Sequence, residues 1–306
     1  MLSYRHAFHA GNHADILKHS VLVNIFESLI QKEKPFSVLD THAGSGLYFF
    51  GDERSQKTKE ADKGIIELLK KMDNLDFPDS LLAYYKITSL YKKHGMYPGS
   101  VEFEKIYCDE KCLHFVSELN NSEIDILRKN AKEEPLVLCS KEKSQVKTQV
   151  ILRDGFEAAC ALTPPEIKRG LMLIDPSYED KIEYKKVSDT VIKVHKKWPA
   201  AIIAVWYPLL AHRTAEIELL KTNIRAFVKT QNPNTEILNA EFLVNKEDSH
   251  TETSLKENDG PPRLYGSGML VVNAPWKLDQ KTGDNLKYLS KAIYADGSTD
   301  YRITLS

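Results

Sequence analysis

"GLMLIDPSYED", residues 170–180, is the stretch that decides the fold. Glycine and four large apolar residues run without a polar break to Asp175, and the run stops on Pro176. An apolar run of this length without alternation suits a strand covered on both faces, as in a parallel sheet between helical layers. Proline ends it because it brings no N–H to the ladder. An acid, a rigid residue and Tyr178 then stand where the strand leaves the sheet.

Reading outward, the same grammar recurs. "FSVLD" (36–40), "LHFVSE" (113–118), "QVILRDG" (149–155) and "AAIIAVWYP" (200–208) are further strand candidates. A helical stretch at 182–197 separates "GLMLID" (170–175) from "AAIIAVWYP", another at 211–224 follows it, and "SEIDILRKN" makes a short helix. Ahead of the first strand, Asn12 caps a helix whose Ile16, Leu17, Val21, Ile25, Phe26, Leu29 and Ile30 recur at helical spacing. Strands alternating with helices predict an α/β protein with a mostly parallel sheet. "AEFLV" (240–244) and "GSGMLVVNAPW" (266–276) are expected to close it as an antiparallel hairpin, joined by a polar loop over 245–265. Residues 51–99 carry helical periodicity, many lysines and no strand signal, so they read as a helical insertion subdomain. The remainder, 1–50 and 100–306, forms the main domain.

Composition narrows the function. Hydrophobic residues make up 42 % and charged ones 28 %, ordinary for a globular protein. With 42 basic against 43 acidic residues the formal charge is −1, so a nucleic-acid partner must be met by a local patch. No apolar run approaches the roughly 20 residues that cross a bilayer, and the N-terminus lacks the apolar core of a signal peptide; a cytoplasmic protein is expected. Cys108, Cys112, Cys139 and Cys160 form no CxxC pair, and no metal site is expected.

In an open parallel sheet ligands bind beyond the carboxyl ends of the strands. Asp40, Glu118, Asp154 and Asp175 all fall there and outline a cleft. "DTHAGSG" (40–46) supplies a glycine-rich turn at Gly44 and Gly46, without the GxGxxG spacing of dinucleotide enzymes. Glu118 is placed to accept hydrogen bonds from a ribose diol, although a solvated carboxylate is the plainer reading of it alone. "IDPSY" is more specific. Asp, Asn or Ser followed by Pro-Pro and an aromatic marks enzymes that methylate exocyclic or amide nitrogens with S-adenosylmethionine. An aromatic amine is a poor nucleophile because its lone pair is delocalised into the ring. Two oxygen acceptors on its N–H groups draw it towards a tetrahedral, nucleophilic state. Asp175 and the Pro176 carbonyl are expected as those acceptors, and Tyr178 as a face on which the base stacks.

"MLSYRHAFHAGNHADILKH" at the start, "LDTHAGSG", "YPGS", "RDGF", "LIDPSY", "WYP" and "SGMLVVNAPWKL" occur in that order over residues 1–278. Together they resemble the bacterial 23S ribosomal RNA adenine N6-methyltransferases of the RlmJ type. The resemblance implies a Rossmann-like S-adenosylmethionine-dependent methyltransferase fold with a small helical insertion. It implies S-adenosyl-L-methionine as cofactor, met by Lys18, His19, His42, Ser100, Glu118, Asp154, Gly155 and Asp175. It further implies Asp175 as the catalytic acid, and Tyr4 near the incoming adenine. The substrate implied is 23S rRNA, taken as protein-poor or naked RNA, by a monomer. Arg5, Lys18 and the histidines at 6, 9, 13 and 19 then read as a modestly cationic lip for RNA phosphate. Two departures stand out: Ser177 replaces the motif's second proline, and Ala274 stands where the family tends to show another. The same acid motif also serves adenine in DNA and glutamine amides in proteins. A nucleic-acid-binding protein for the use of external DNA, with a vestigial cofactor pocket, is the alternative from another class.

Overall fold

The computed structural model describes residues 6–53, 59–73, 76–138, 144–244, 264–293 and 299–306. Its centre is an eight-stranded sheet in the order β10-β8-β9-β7-β6-β1-β4-β5. These strands are β1 (Ser37–Asp40), β4 (Leu113–Glu118), β5 (Thr148–Leu152), β6 (Gly170–Ile174), β7 (Ile202–Leu209), β8 (Ile237–Leu243), β9 (Gly266–Val272) and β10 (Asp300–Leu305). β5, β4, β1, β6 and β7 are mutually parallel. β9 runs antiparallel to both β7 and β8, and β10 antiparallel to β8. The expected C-terminal hairpin is therefore present as β8–β9, with β9 laid inside against β7. Strand order reverses on either side of β1: β4 and β5 lie one way, β6 and β7 the other. The crevice at that reversal is where an open α/β sheet takes its ligand.

All five residues of β6 are buried, which explains its unbroken apolar sequence. One face is covered by α6 (Gly155–Leu162), α7 (Ile182–Lys197) and α8 (Thr214–Gln231), whose Val187, Val191, Ile217, Leu220 and Ile224 pack with Ile174, Ile203 and Val205. The other face is covered by α1 (His13–Leu29) and α9 (Leu278–Ala292), with Leu17, Val21, Phe26, Leu286 and Leu289 against Leu171, Leu173 and Met269. The Asn12 side chain caps α1, accepting from the N–H groups of Ala14 and Asp15, as expected. α4 (Ser100–Tyr107) packs against α1, and α5 (Asn121–Asn130) follows β4.

In the 51–99 segment the described residues form a π-helical turn (Asp62–Ile66), α2 (Glu67–Met72), a 3-10 turn (Asp79–Leu81) and α3 (Leu82–Lys93). Their Ile65, Leu68, Leu69, Tyr84 and Tyr91 join the same apolar cluster as α1. The expectation of no strand there fails at β3 (Met96–Pro98), which pairs antiparallel with β2 (Leu47–Phe49). Three residues are too short to leave an alternating pattern, and it is the pairing across the insertion that makes them a strand.

Candidate active site

A cavity of about 870 Å³ opens at the carboxyl edge of the parallel strands. Into it face the ends of β1 (Thr41, His42), β4 (Glu118), β5 (Asp154, Gly155), β6 (Asp175, Pro176) and β7 (Trp206, Pro208). Lys18 and His19 enter from α1, and Ser100 from the start of α4. Thus the structure brings together nine of the twelve site residues expected from sequence. Tyr4 and Arg5 lie outside the described residues, and Tyr178 does not line the cavity.

Asp175 is the pivot. Its side chain is 14 % exposed, and Oδ2 accepts from Lys18 Nζ at 2.5 Å. Nothing among the described residues bonds Oδ1. Lys18, buried at the second turn of α1, also meets Asp15 Oδ1 at 3.0 Å. Burial alone would strip its proton, but Asp15 and Asp175 outweigh that and hold the ammonium well above its usual range. His19 is buried beside it, its Nδ1 2.8 Å from the Tyr97 hydroxyl; burial keeps the ring neutral, well below the usual imidazole range.

These positions correct the reading of the N-terminal histidines and Lys18 as a cationic lip. Lys18, His13 and His19 are buried, with acids interleaved. His6 Nε2 sits 2.9 Å from Asp15, and His9 Nδ1 2.9 Å from Glu60. Burial holds His13 down at about 4. The described part of this segment is an inward-facing polar network, not an RNA-facing cation.

On the sheet side, Gly44 and Gly46 have φ of +56° and +75°, the left-handed turn their sequence anticipates. The Gly44 N–H donates to Glu118 Oε2 at 2.8 Å, and the Asn120 N–H to Oε1 at 2.7 Å. Glu118 is therefore fixed in place, and burial raises its carboxyl above the usual range. Asp154 caps α6 through the N–H groups of Phe156 and Glu157. Gly155 is obligatory there, because a Cβ would fall 2.0 Å from the Thr41 carbonyl. His42, held at about 4 by burial, meets Phe156 edge-on at 5.0 Å between centroids. Ser100 Oγ donates to Asp40 Oδ2 at 2.5 Å, so it supports the β1 loop as well as lining the cavity.

Tyr178 departs from its expected role. It adopts φ +54°, is 5 % exposed, and donates its hydroxyl to the Trp206 carbonyl at 2.7 Å. Its ring packs against Tyr184 (4.6 Å) and Trp206 (5.9 Å) in the core. The left-handed backbone turns the ring beneath the loop, so its face is not offered to a base. Trp206 lines the cavity instead.

Sequence reading missed Asp15, Phe156 and Trp206, together with Glu60 and Lys63, which line the cavity from the insertion. Asp15 alone left a trace, an i,i+3 spacing to Lys18 beside the apolar stripe of α1. Among the described residues no cluster of three or more His, Cys, Asp or Glu could hold a metal, and no helix is long and apolar enough to cross a membrane.

Comparison with known proteins fits this geometry. Ribosomal RNA large subunit methyltransferase J of Escherichia coli K12 is 34 % identical over 97 % of this chain and 96 % of its own. The Haemophilus influenzae protein of the same name is 33 % identical over 99 % and 98 %. The crystal structure of LPL1258 from Legionella pneumophila superposes with a TM-score of 0.78 at 27 % identity, covering 97 % of this chain and 98 % of that one. The family model described as ribosomal RNA large subunit methyltransferase D, RlmJ, matches residues 33–304. By that span and those identities, the chain belongs to the RlmJ family of ribosomal RNA large subunit methyltransferases.

Proposed function

We propose that Asp175 and the Pro176 carbonyl activate the N6 amine of an adenine in 23S rRNA for methylation at this cavity. Family membership makes the chain an S-adenosylmethionine-dependent rRNA methyltransferase. The observation that carries the residue assignment is Asp175 itself. It stands at the end of β6 with one oxygen clamped by Lys18 and the other without a partner among the described residues, in a cavity shared with Glu118, His42 and Trp206.

The residues fit the cofactor. Glu118 keeps lone pairs for ribose hydroxyls after its two backbone bonds, Phe156 and His42 make an apolar wall suited to an adenine, and about 870 Å³ lies in the range of ligand cavities. Bound there, S-adenosylmethionine supplies an electrophilic methyl on a sulfonium. Asp175 Oδ1 accepts one N–H of the amine and takes its proton on transfer, while the Pro176 carbonyl accepts the other. Lys18 holds Asp175 in one rotamer through its bond to Oδ2. Trp206 gives the base a flat surface, propped from behind by Tyr178. The insert 51–99 is taken as a subdomain walling the N-terminal side, through Glu60 and Lys63. The working form is taken as a cytoplasmic monomer acting on rRNA free of most ribosomal proteins, its target base exposed or flipped out.

The test is transfer of labelled methyl to 23S rRNA from a strain lacking the enzyme, with duplex DNA and a release-factor-like protein in parallel. Label should enter the RNA at adenine N6, and Asp175→Ala should abolish it. Label entering only DNA or protein would move the substrate. Cofactor binding without transfer to any of the three would end the reading.

A further inference from the structure

Asp15 lies on the first turn of α1, at the wall of the cavity, its side chain 1 % exposed. It gathers four groups. Oδ2 accepts from the Gly11 N–H at 2.8 Å and lies 2.9 Å from His6 Nε2. Oδ1 lies 3.0 Å from Lys18 Nζ and 4.0 Å from His19 Nε2. Burial would push such a carboxyl up; His6 and Lys18 outweigh it and hold Asp15 well below the usual range. A full negative charge is thus kept in the interior, one ammonium away from Asp175. From the geometry we infer that Asp15 is a positioning residue for methyl transfer, acting on Asp175 through Lys18.

The physical reason is that one ammonium is shared by two carboxylates. Paired with Asp175 alone, Lys18 would follow that side chain into whichever rotamer made the tightest ion pair. Asp15 ties the ammonium to the rigid first turn of α1, so Lys18 reaches Asp175 from a fixed point and gives it only part of its charge. Gly11 and His6 tie Asp15 to the chain ahead of the helix, so the support is anchored at both ends. Lys18, three residues along the same helix face, is the link on which the effect depends.

The inference rests on Asp175 being the amine acceptor, and the experiment separates the two. Single-turnover transfer to an rRNA fragment is measured at saturating cofactor for the intact protein and Asp15→Asn, an isosteric change that keeps an acceptor for the Gly11 N–H. The variant should lose roughly 100-fold in rate, as for a reacting group displaced by about an ångström, while its cofactor Kd by calorimetry stays within twofold. A rate within twofold of the intact protein overturns the inference. So does a parallel loss of rate and cofactor affinity, which is what a merely structural role would give. If the intact protein transfers nothing, the functional reading fails instead. A second measurement leaves Asp15 in place: the Lys18 ammonium is followed by ¹⁵N NMR in Asp175→Asn. Continued protection from solvent exchange shows that Asp15 holds it; loss of the signal on removing Asp175's charge overturns the inference even if Asp15→Asn does not fold.

Discussion

Replacing Lys18 by methionine tests the charge balance of the site directly. The side chains have similar length and volume, so Lys18→Met opens no appreciable cavity and removes essentially one positive charge. Both Asp15 and Asp175 have an oxygen within 3.0 Å of the lost nitrogen. Removing one member of a buried ion pair costs about 3–5 kcal/mol, because the partner's charge remains uncompensated. At about 2.1 cal/mol/K per residue, unfolding 306 residues carries about 0.6 kcal/mol/K, so the midpoint should drop by about 5–8 °C near neutral pH. The pH dependence gives the sharper signature. In the intact protein Asp15 lies below its unfolded value of 3.8; its contribution is present above that value and is lost as pH falls through the lower folded one. Without Lys18, the burial of Asp15 loses its nearest compensating charge and its carboxyl is pushed upward. The cost is then present at neutral pH and relieved as pH falls and that carboxyl protonates. Thermal unfolding followed by circular dichroism from pH 5 to 8 should show the gap between variant and intact protein closing towards pH 5. A gap that is constant with pH, or below about 1 kcal/mol at pH 7 on this scale, would refute the reasoning.

Two other changes follow from buried groups. Glu104 on α4 and His114 on β4 are wholly buried and 2.8 Å apart; burial lifts the acid to about 8 and lowers the imidazole to about 3, giving a neutral pair in which the carboxyl donates to Nε2. An acid raised in the fold weakens the protein as pH climbs from 4.5 towards 8, so Glu104→Gln, which keeps a neutral donor, should flatten the loss of midpoint between pH 6.5 and 8; an unchanged slope in a pH series of scanning calorimetry would contradict this. Tyr178→Phe keeps the ring but loses the hydrogen bond to the Trp206 carbonyl, and should cost about 0.5–1.5 kcal/mol in denaturant unfolding. Its transfer rate should fall alongside, since the Trp206 backbone loses that anchor beside the cavity; full stability with a lost rate would restore Tyr178 to a direct role at the base.

What the sequence made legible divides along a physical line. Strands such as β6 and β4 were readable because burial on two faces writes itself into consecutive residues, and the acid at each end followed from the sheet's geometry. The Asn12 cap was readable because capping is local. β3 and β10 were not: β3 is three residues long, and β10 is an edge strand whose partly exposed residues carry little apolar pattern. The site shows the same division. Asp175, Glu118 and Asp154 were found because position along a strand fixes where they emerge. Tyr178 was misassigned because one dihedral, φ +54°, decides whether a ring faces a cavity or the core, and a four-letter motif does not encode it with serine in the third place. Asp15 was missed for the opposite reason. Its spacing to Lys18 is ordinary for a solvated helix face, and only burial of α1 against the sheet and α9 turns a commonplace i,i+3 pair into a charge that the interior must balance. A polar residue in this chain therefore acquires its function from what buries it: another Lys–Asp helix pair, Lys185 and Asp189, four apart and of opposite order, is exposed, and there solvent screens the charges.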